Sequence, residues 1–344
     1  MELTRLGRTG LMATRTAFGV LPIQRTDREE AARILRRAHE AGINFYDTAR
    51  AYSDSEEKIG YALGGVRDEI ILATKSGATT REGVLADLET SLRHLKTDRV
   101  DLLQLHNPGV LPEPDDPNSS YAALLEAQRK GMVRFIGITN HRLDVAVRAV
   151  QSGLYDTMQF PLSAISSADD LDLIRVCAEH DVGVVAMKAL CGGLLTHAPA
   201  AFAFLRTYPN VVPIWGIQHM SELEEFIALE ASPPQLGAEM EALIARDCEE
   251  LAGNFCRACG YCLPCPAEIP IPMAGRMSLL LDRMPYQQFL SDDWYEQMHR
   301  IDNCIECGKC RERCPYDLDT PKTLKKMLAA YVQFYAKHAG EATG

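Results

Sequence analysis

From residue 28 onward the chain alternates between two hydrophobic rhythms. Residues 28–41 carry apolar side chains at helical spacing, and the short apolar run 45–47 that follows stops abruptly in polar sequence. The same change of period recurs as helix 56–63 then strand 70–74, and as helix 84–95 then strand 100–105. Further apolar runs fall at 135–139, 157–160, 182–187 and 211–216, and residues 16–19 supply one more before the first helix. The pattern therefore predicts eight strands, each followed by a helical stretch. Repeating units of about 30 residues, with strands apolar throughout, imply parallel strands covered on both faces. Eight of them in succession predict a closed (β/α)8 barrel of the TIM type. A doubly wound open sheet is the competing topology, but the turn after the first strand, Gly19-Val20-Leu21-Pro22, lacks the Gly-x-Gly-x-x-Gly pattern. Ahead of the barrel, weak alternation over 3–20 around Gly7 and Gly10 predicts a small hairpin.

The rhythm stops at Ser232-Pro233-Pro234, where two prolines end the last barrel helix. The expected domains are a barrel over 1–234 and a small, mainly helical domain over 235–344. In the second, 239–251 reads as a helix, 273–298 as a helical spacer with Met, Leu and Trp on one face, and 320–338 as a terminal helix starting at Thr320-Pro321.

Composition narrows the function. A net charge of −11 argues against non-specific binding to nucleic acid. No apolar run approaches the roughly 18 residues of a membrane helix, and the N-terminus has no apolar segment behind its charges. A cytoplasmic location follows as the expectation, with no membrane or nucleic-acid partner. Of eleven cysteines, eight fall between Cys256 and Cys314, which in a reducing compartment means metal or redox chemistry rather than disulfides.

Catalytic groups of such barrels sit at the C-terminal strand ends. Those ends carry Asp47, with Tyr52 in the loop just after it, then Lys75, His106, Asn140 and Gln159. Any one of them alone reads more simply as structural, Asp47 as a helix cap and Tyr52 as a packed surface ring. Six polar groups converging on one mouth read as a site.

These residues lie in Asn44-Phe45-Tyr46-Asp47-Thr48-Ala49 with Tyr52, Ala73-Thr74-Lys75, Asp101-Leu102-Leu103-Gln104-Leu105-His106, Gly137-Ile138-Thr139-Asn140 and Met158-Gln159. In order and without a large gap, the set resembles the aldo-keto reductase superfamily. The resemblance implies carbonyl reduction with NAD(P)H by a tetrad of Asp47, Tyr52, Lys75 and His106. Tyr52 would be the proton donor, with Lys75 stabilising its conjugate base, Asp47 holding Lys75 and His106 orienting the carbonyl oxygen. It also implies that Asn140 and Gln159 hold the nicotinamide carboxamide. Met187 stands where the family usually places an aromatic residue under that ring, and Gly192 and Gly193 allow close approach to a pyrophosphate. After the eighth strand the stretch from Gly216 borders the cofactor, with Glu225 at the family's adenine-side acid. Glu222 stands where many members carry an arginine for the 2′-phosphate of NADP, so the expected lean is to NADH, with His219 or a lysine elsewhere as routes to NADPH.

The tail carries Cys304-x2-Cys307-x2-Cys310-x3-Cys314-Pro315, the spacing of bacterial ferredoxins, and Cys256-x2-Cys259-x2-Cys262-x2-Cys265-Pro266, one residue shorter. Two structural zinc sites are the alternative, although zinc favours paired knuckles over triplets closed by Cys-Pro. The tail resembles helical dicluster ferredoxin domains, which implies two 4Fe-4S clusters with crossed ligation. Cys256, Cys259, Cys262 and Cys314 would hold one, and Cys304, Cys307, Cys310 and Cys265 the other. The shortened first run leaves a three-iron or single-cluster version open. Two functions are expected from the whole: an oxidoreductase acting on a small carbonyl substrate and linked to a redox partner, a ferredoxin or flavoprotein; or an electron-transfer or redox-sensing protein that keeps the barrel as a scaffold. No flavin fingerprint bridges hydride and one-electron chemistry.

Overall fold

The computed structural model describes residues 1–251, 255–283 and 286–338. The chain divides into two compact units, one of residues 1–189 with 197–244, the other of 190–196 with the chain from 245 onward.

The first unit opens with a hairpin of β1 (Leu3–Arg5) and β2 (Met12–Thr14), paired antiparallel with Leu3 opposite Thr14. Eight parallel strands follow: β3 (Ala17–Gly19), β4 (Phe45–Asp47), β5 (Ile71–Ser76), β6 (Val100–His106), β7 (Val133–Thr139), β8 (Thr157–Pro161), β9 (Gly183–Met187) and β10 (Val211–Gly216). They close in sequence order, β10 pairing with β3 and with β9. This is the expected (β/α)8 barrel, and closure excludes the open sheet. Helices α1 (Arg28–Glu40), α2 (Ser55–Leu63), α3 (Arg81–Leu95), α4 (Ser120–Arg129), α5 (Leu143–Gln151), α6 (Ala168–Glu179), α7 (Ala198–Arg206) and α8 (Met220–Ala231) alternate with the strands. Local chemistry starts them where it should: Asp27 accepts from the amides of Glu29 and Glu30 ahead of α1, and Ser167 and Asp170 form a reciprocal capping box on α6.

The barrel is filled rather than hollow. Phe45, Ile71, Leu102, Val185, Val212 and Ile214 pack inside it together with Leu6, Leu11 and Ala13 from the hairpin. The hairpin closes the N-terminal end. At its turn Gly7 has φ 50°, and a Cβ there would stand 2.1 Å from the backbone N of Gly183, where β9 begins. With one end plugged, the polar groups gather at the opposite end of the filled barrel.

The helix α9 (Ala238–Glu250) runs across the boundary between the units. The second unit continues with α10 (Ile271–Ala274), α11 (Met277–Arg283), a 3-10 turn at Tyr286–Leu290, α12 (Asp292–His299), a 3-10 turn at Arg300–Asn303, α13 (Lys309–Glu312) and α14 (Thr320–His338). The single spacer helix expected over 273–298 is thus corrected to a series of short pieces. The apolar periodicity persists through the break at Gly275, which caps α10, and through the cap of α12 by Ser291. The terminal helix runs to the expected end, and its inner face buries Leu324, Met327 and Tyr331, with the Tyr331 hydroxyl donating to Phe289 O at 2.7 Å.

Candidate functional site

The strand ends at one rim of the barrel carry the candidate residues. Asp47 ends β4, Lys75 is next to last in β5, His106 ends β6, Asn140 follows β7, Gln159 lies within β8, Met187 ends β9 and Gly216 ends β10. Parallel strands in register bring these ends to one level, which gathers residues more than a hundred positions apart.

The centre is a buried ion pair. Lys75 Nζ donates to Asp47 Oδ2 at 2.6 Å and to Thr48 O at 2.7 Å. Gln104 Nε2 donates to Asp47 Oδ1 at 3.2 Å and to Gln159 Oε1 at 2.9 Å, and Gln159 Nε2 reaches Asp47 Oδ2 at 3.4 Å. Burial pushes the Asp47 carboxyl above its ordinary range, and Lys75, Gln159 and Gln104 draw it back. Burial likewise lowers Lys75, against the attraction of Asp47. Short contacts to the charged forms keep the pair ionised. Asp47 therefore caps no helix.

Tyr52 is delivered by a loop clamped along β5. Thr48 N donates to Ala73 O and Arg50 N to Lys75 O, and the turn closes with Tyr52 N on Ala49 O. Behind it, the buried Glu56 accepts from Thr74 Oγ1 at 2.7 Å and pairs with Arg50. The Tyr52 ring meets that of His106 edge to face at 5.8 Å, and Lys75 Nζ lies 5.2 Å from the Tyr52 ring centroid. Lys75 directs two of its three ammonium protons to Asp47 and Thr48, and the Tyr52 phenol is raised, by burial first and then by Asp47's charge. The phenol is a firmly protonated donor at neutral pH, not an already acidified one.

His106 is held neutral. Burial, with the nearby charge of Lys75, lowers its imidazole to about 3. Two residues unremarked in the sequence join it. His141, buried behind Asn140, is also shifted well down by burial, by Lys188 and by His106. Lys188 follows Met187 with a left-handed φ of 58°. Their positions immediately after rim residues were the available signal. Gln104 was also missed as a participant, although it stands within a quoted motif; its buried Oε1 has no hydrogen-bond partner among the described residues.

The cofactor candidates are placed unevenly. Asn140 already donates Nδ2 to Pro108 O and accepts from Arg142 N on Oδ1, leaving one proton and one lone pair. Met187 packs on the barrel's interior cluster. Gly216 and Glu225 are exposed. Glu222 is not a loose charge: Oε2 accepts from the amides of Gln218 at 2.7 Å and His219 at 2.9 Å, capping α8. Gly192 and Gly193, with φ 67° and 93°, lie in the segment that groups with the second unit. There Arg276 Nη1 donates to Gly192 O at 3.0 Å, and a Cβ on Gly192 would fall 2.9 Å from that nitrogen.

The second unit gathers eight of its cysteines into two recesses. One is lined by Cys256, Cys259, Cys262 and Cys314, the other by Cys304, Cys307, Cys310 and Cys265, with Cys262 also on its wall. Each recess thus takes its fourth cysteine from the other run. The two runs also share a backbone pattern. Ala258 and Gly260 flank Cys259 in left-handed conformation as Glu306 and Gly308 flank Cys307, and Glu268 and Asp317 repeat it three residues after Cys265 and Cys314. Left-handed turns of this kind aim successive amides inward, the form of an anionic-cluster cradle. Burial and its cysteine neighbours push the Cys262 thiol up to about 12. Thiols so crowded ionise together only around a cation, which fits iron–sulfur binding.

Comparisons with known proteins decide the family. The model of the Aldo/keto reductase family matches residues 10–201, more than half of the chain. The chain belongs to the aldo/keto reductase family. It also carries a 4Fe-4S dicluster domain, matched over residues 255–319. An uncharacterized oxidoreductase of Bacillus subtilis, YqkF, is 32% identical over 215 residues, covering 58% of this chain and 68% of that protein. In fold, the holo form of aldo-keto reductase AKR11C1 from Bacillus halodurans superposes with a TM-score of 0.64 at 23% identity, over 72% of this chain and 96% of that one. An aldo-keto reductase from Klebsiella pneumoniae in complex with NADPH gives 0.59 at 22% identity, over 71% and 94%. Asp47, Tyr52, Lys75 and His106 all fall within the aldo/keto reductase match, whereas Gly216 and Glu225 fall beyond it. All eight clustered cysteines fall within the dicluster match. Among the described residues, no helix is long and apolar enough to cross a membrane.

One consequence of the aldo/keto reductase mouth is measurable without a substrate. Because burial favours neutral imidazole, His106 should show no titration between about pH 5 and 8 in nitrogen-resolved NMR of the ring. A midpoint near 6.5 would mean that the mouth is wet and that its electrostatics are not as described.

Proposed function

We propose that the barrel reduces a small aldehyde or ketone with NAD(P)H, and that the tail holds two 4Fe-4S clusters serving a redox partner, a ferredoxin or flavoprotein. The observation that carries the catalytic half is the meeting of Tyr52, His106 and the Lys75–Asp47 pair at one mouth. The alternative, an electron-transfer or sensing protein with a retained scaffold, would have no use for this buried charge pair, which is costly unless it serves chemistry or specificity.

Bound nicotinamide would supply hydride to the carbonyl carbon. The chain's own groups do the rest. Tyr52, fully protonated at neutral pH, donates its proton to the carbonyl oxygen as charge develops there. The neutral His106 imidazole orients that oxygen without adding a competing acid. As Tyr52 becomes phenolate, the nearby Lys75 ammonium offsets its charge, and Asp47, held by Gln104 and Gln159, fixes Lys75 in place. The free proton and lone pair of Asn140, with Gln159, would position the carboxamide over Met187. Gly192 and Gly193 would allow backbone approach to the pyrophosphate, and Gly216 and Glu225 would border the adenosine end. A reducing cytoplasm would keep the cysteine thiols available to iron.

The Glu222 cap strengthens the lean to NADH, because its carboxylate occupies two amides at the start of α8 that an arriving phosphate would need. Replacing Tyr52 with Phe should lower carbonyl reduction by roughly 100- to 10,000-fold while cofactor affinity changes little. Near wild-type turnover in that variant would defeat the catalytic proposal. Titration of the unmodified protein should show NADH binding at least as tightly as NADPH, with Glu222→Gln gaining for NADPH alone; tighter NADPH binding at the outset would overturn the assignment. For the tail, Cys314→Ser should disturb the cluster of Cys256, Cys259 and Cys262, and Cys265→Ser that of Cys304, Cys307 and Cys310, as read by iron and sulfide counts with spectroscopy. Loss confined to the mutated run's own cluster would show local wiring.

A further inference from the structure

The long helix of the second unit has an unusual charge distribution. Over its 19 residues α14 carries four lysines, Lys322, Lys325, Lys326 and Lys337, and no aspartate or glutamate, in a chain of net charge −11. Residues 322, 325, 328, 329 and 332 fall on one stripe at spacings of three and four. That stripe is not uniformly polar. Leu328 and Ala329 line a groove of about 660 Å3 together with Ile301, Asp302, Cys304 and Lys325, and Val332 on the same stripe is 39% exposed. Next to the groove Ile305 projects with 67% of its surface exposed, which is much for an isoleucine between a cysteine and a glutamate.

Three properties coincide here: an apolar floor, a lysine rim, and Cys304, which belongs to the recess with Cys265, Cys307 and Cys310. Cys307 itself is exposed. The second recess and this groove therefore share Cys304 as a common wall. Two acids lie close by, Asp302 in the groove wall and Glu306, the latter already paired with Lys325 at 2.7 Å. Lys322 and Lys326 remain exposed beside them.

We propose that the groove between Cys304 and α14 is the docking surface of a small acidic protein electron carrier, a ferredoxin. Its apolar centre would cover Ile305 and the groove floor, and its carboxylates would face Lys322, Lys325 and Lys326. Such an arrangement speeds and orients encounter through the rim charges while the apolar centre sets the lifetime of the complex. In one docking event the reduced carrier would give up one electron to the iron–sulfur group that Cys265, Cys304, Cys307 and Cys310 would hold; no bond would form and no proton would move. This rests on the iron–sulfur reading above.

The test uses the full chain with its iron in place and an acidic bacterial ferredoxin as probe, with binding followed by calorimetry at low and high salt. The unmodified protein should bind, and binding should weaken as salt rises. The double reversal Lys322→Glu with Lys325→Glu should weaken it by about tenfold or more. Lys337→Glu makes the same kind of charge change roughly 18 Å along the helix from Lys325, on another face, and should cost less than about twofold. Ile305→Ser should weaken binding at every salt concentration. Absent binding, salt-insensitive binding, or equal losses from the Lys337 and groove variants would overturn the proposal. Should the double reversal lose iron, Lys322→Gln provides the same comparison with a milder change. Iron and sulfide analysis of the same sample separates the two levels of failure: absent iron defeats the cluster reading, whereas iron with no carrier binding defeats the docking surface alone.

Discussion

The Lys75–Asp47 ion pair is the interaction on which the barrel mouth depends. Two charges buried in a filled barrel cost several kcal/mol each unless they are paired and their remaining bonds are satisfied. Every neighbouring element contributes to that satisfaction. The loop after β4 offers Thr48 O to the ammonium, β6 offers the Gln104 amide to the carboxylate, and β8 offers Gln159. The pair thereby fixes more than itself. Because the loop after β4 is also clamped to β5 through Arg50, Thr74 and Glu56, the ring of Tyr52 has little freedom relative to Lys75. Burial, reinforced by these charges, sets the titration of their neighbours: burial and then Asp47 keep the Tyr52 proton on, and burial and then Lys75 keep the His106 proton off.

These shifts bear on how the proposed acid catalysis would work. A phenol with a lowered pKa would share its proton with water before substrate arrives. In the proposed reduction, a buried phenol kept protonated, beside a cation that can take up its negative charge only as that charge appears, would hold the stabilisation in reserve for the transition state. The depressed imidazole of His106 belongs to the same arrangement, since a charged imidazolium beside Lys75 would add repulsion without adding a needed donor.

The second unit follows a comparable rule with another chemistry. Eight thiols crowd into two recesses, and the crossed sharing of Cys265 and Cys314 means that neither run completes a four-cysteine wall from its own residues. The repeated left-handed residues at 258 and 260, and at 306 and 308, bend the chain around each recess, a strain retained where backbone amides must face inward. The short helices between the runs follow from this: the spacer must turn several times to bring Cys265 to the later run.

The chain's periodicity was enough to specify eight parallel strands in order, the plugging hairpin and the terminal helix, because a buried parallel strand and an amphipathic helix each leave a local signature. The strand-end rule was enough to select Asp47, Tyr52, Lys75, His106, Asn140 and Gln159, and spacing was enough to single out the eight cysteines. What sequence could not decide depended on who becomes whose neighbour. Nothing local says that Gln104 would bridge Asp47 and Gln159, that Lys188 and His106 would both bear on His141, or that Glu222 would cap its own helix rather than face solvent. The spacer was misread because its apolar spacing persists through turns that only packing around the cysteines imposes. The raised Tyr52 phenol likewise arises from burial and from a carboxylate two strands of partners hold in place, and both exist only once the barrel has closed.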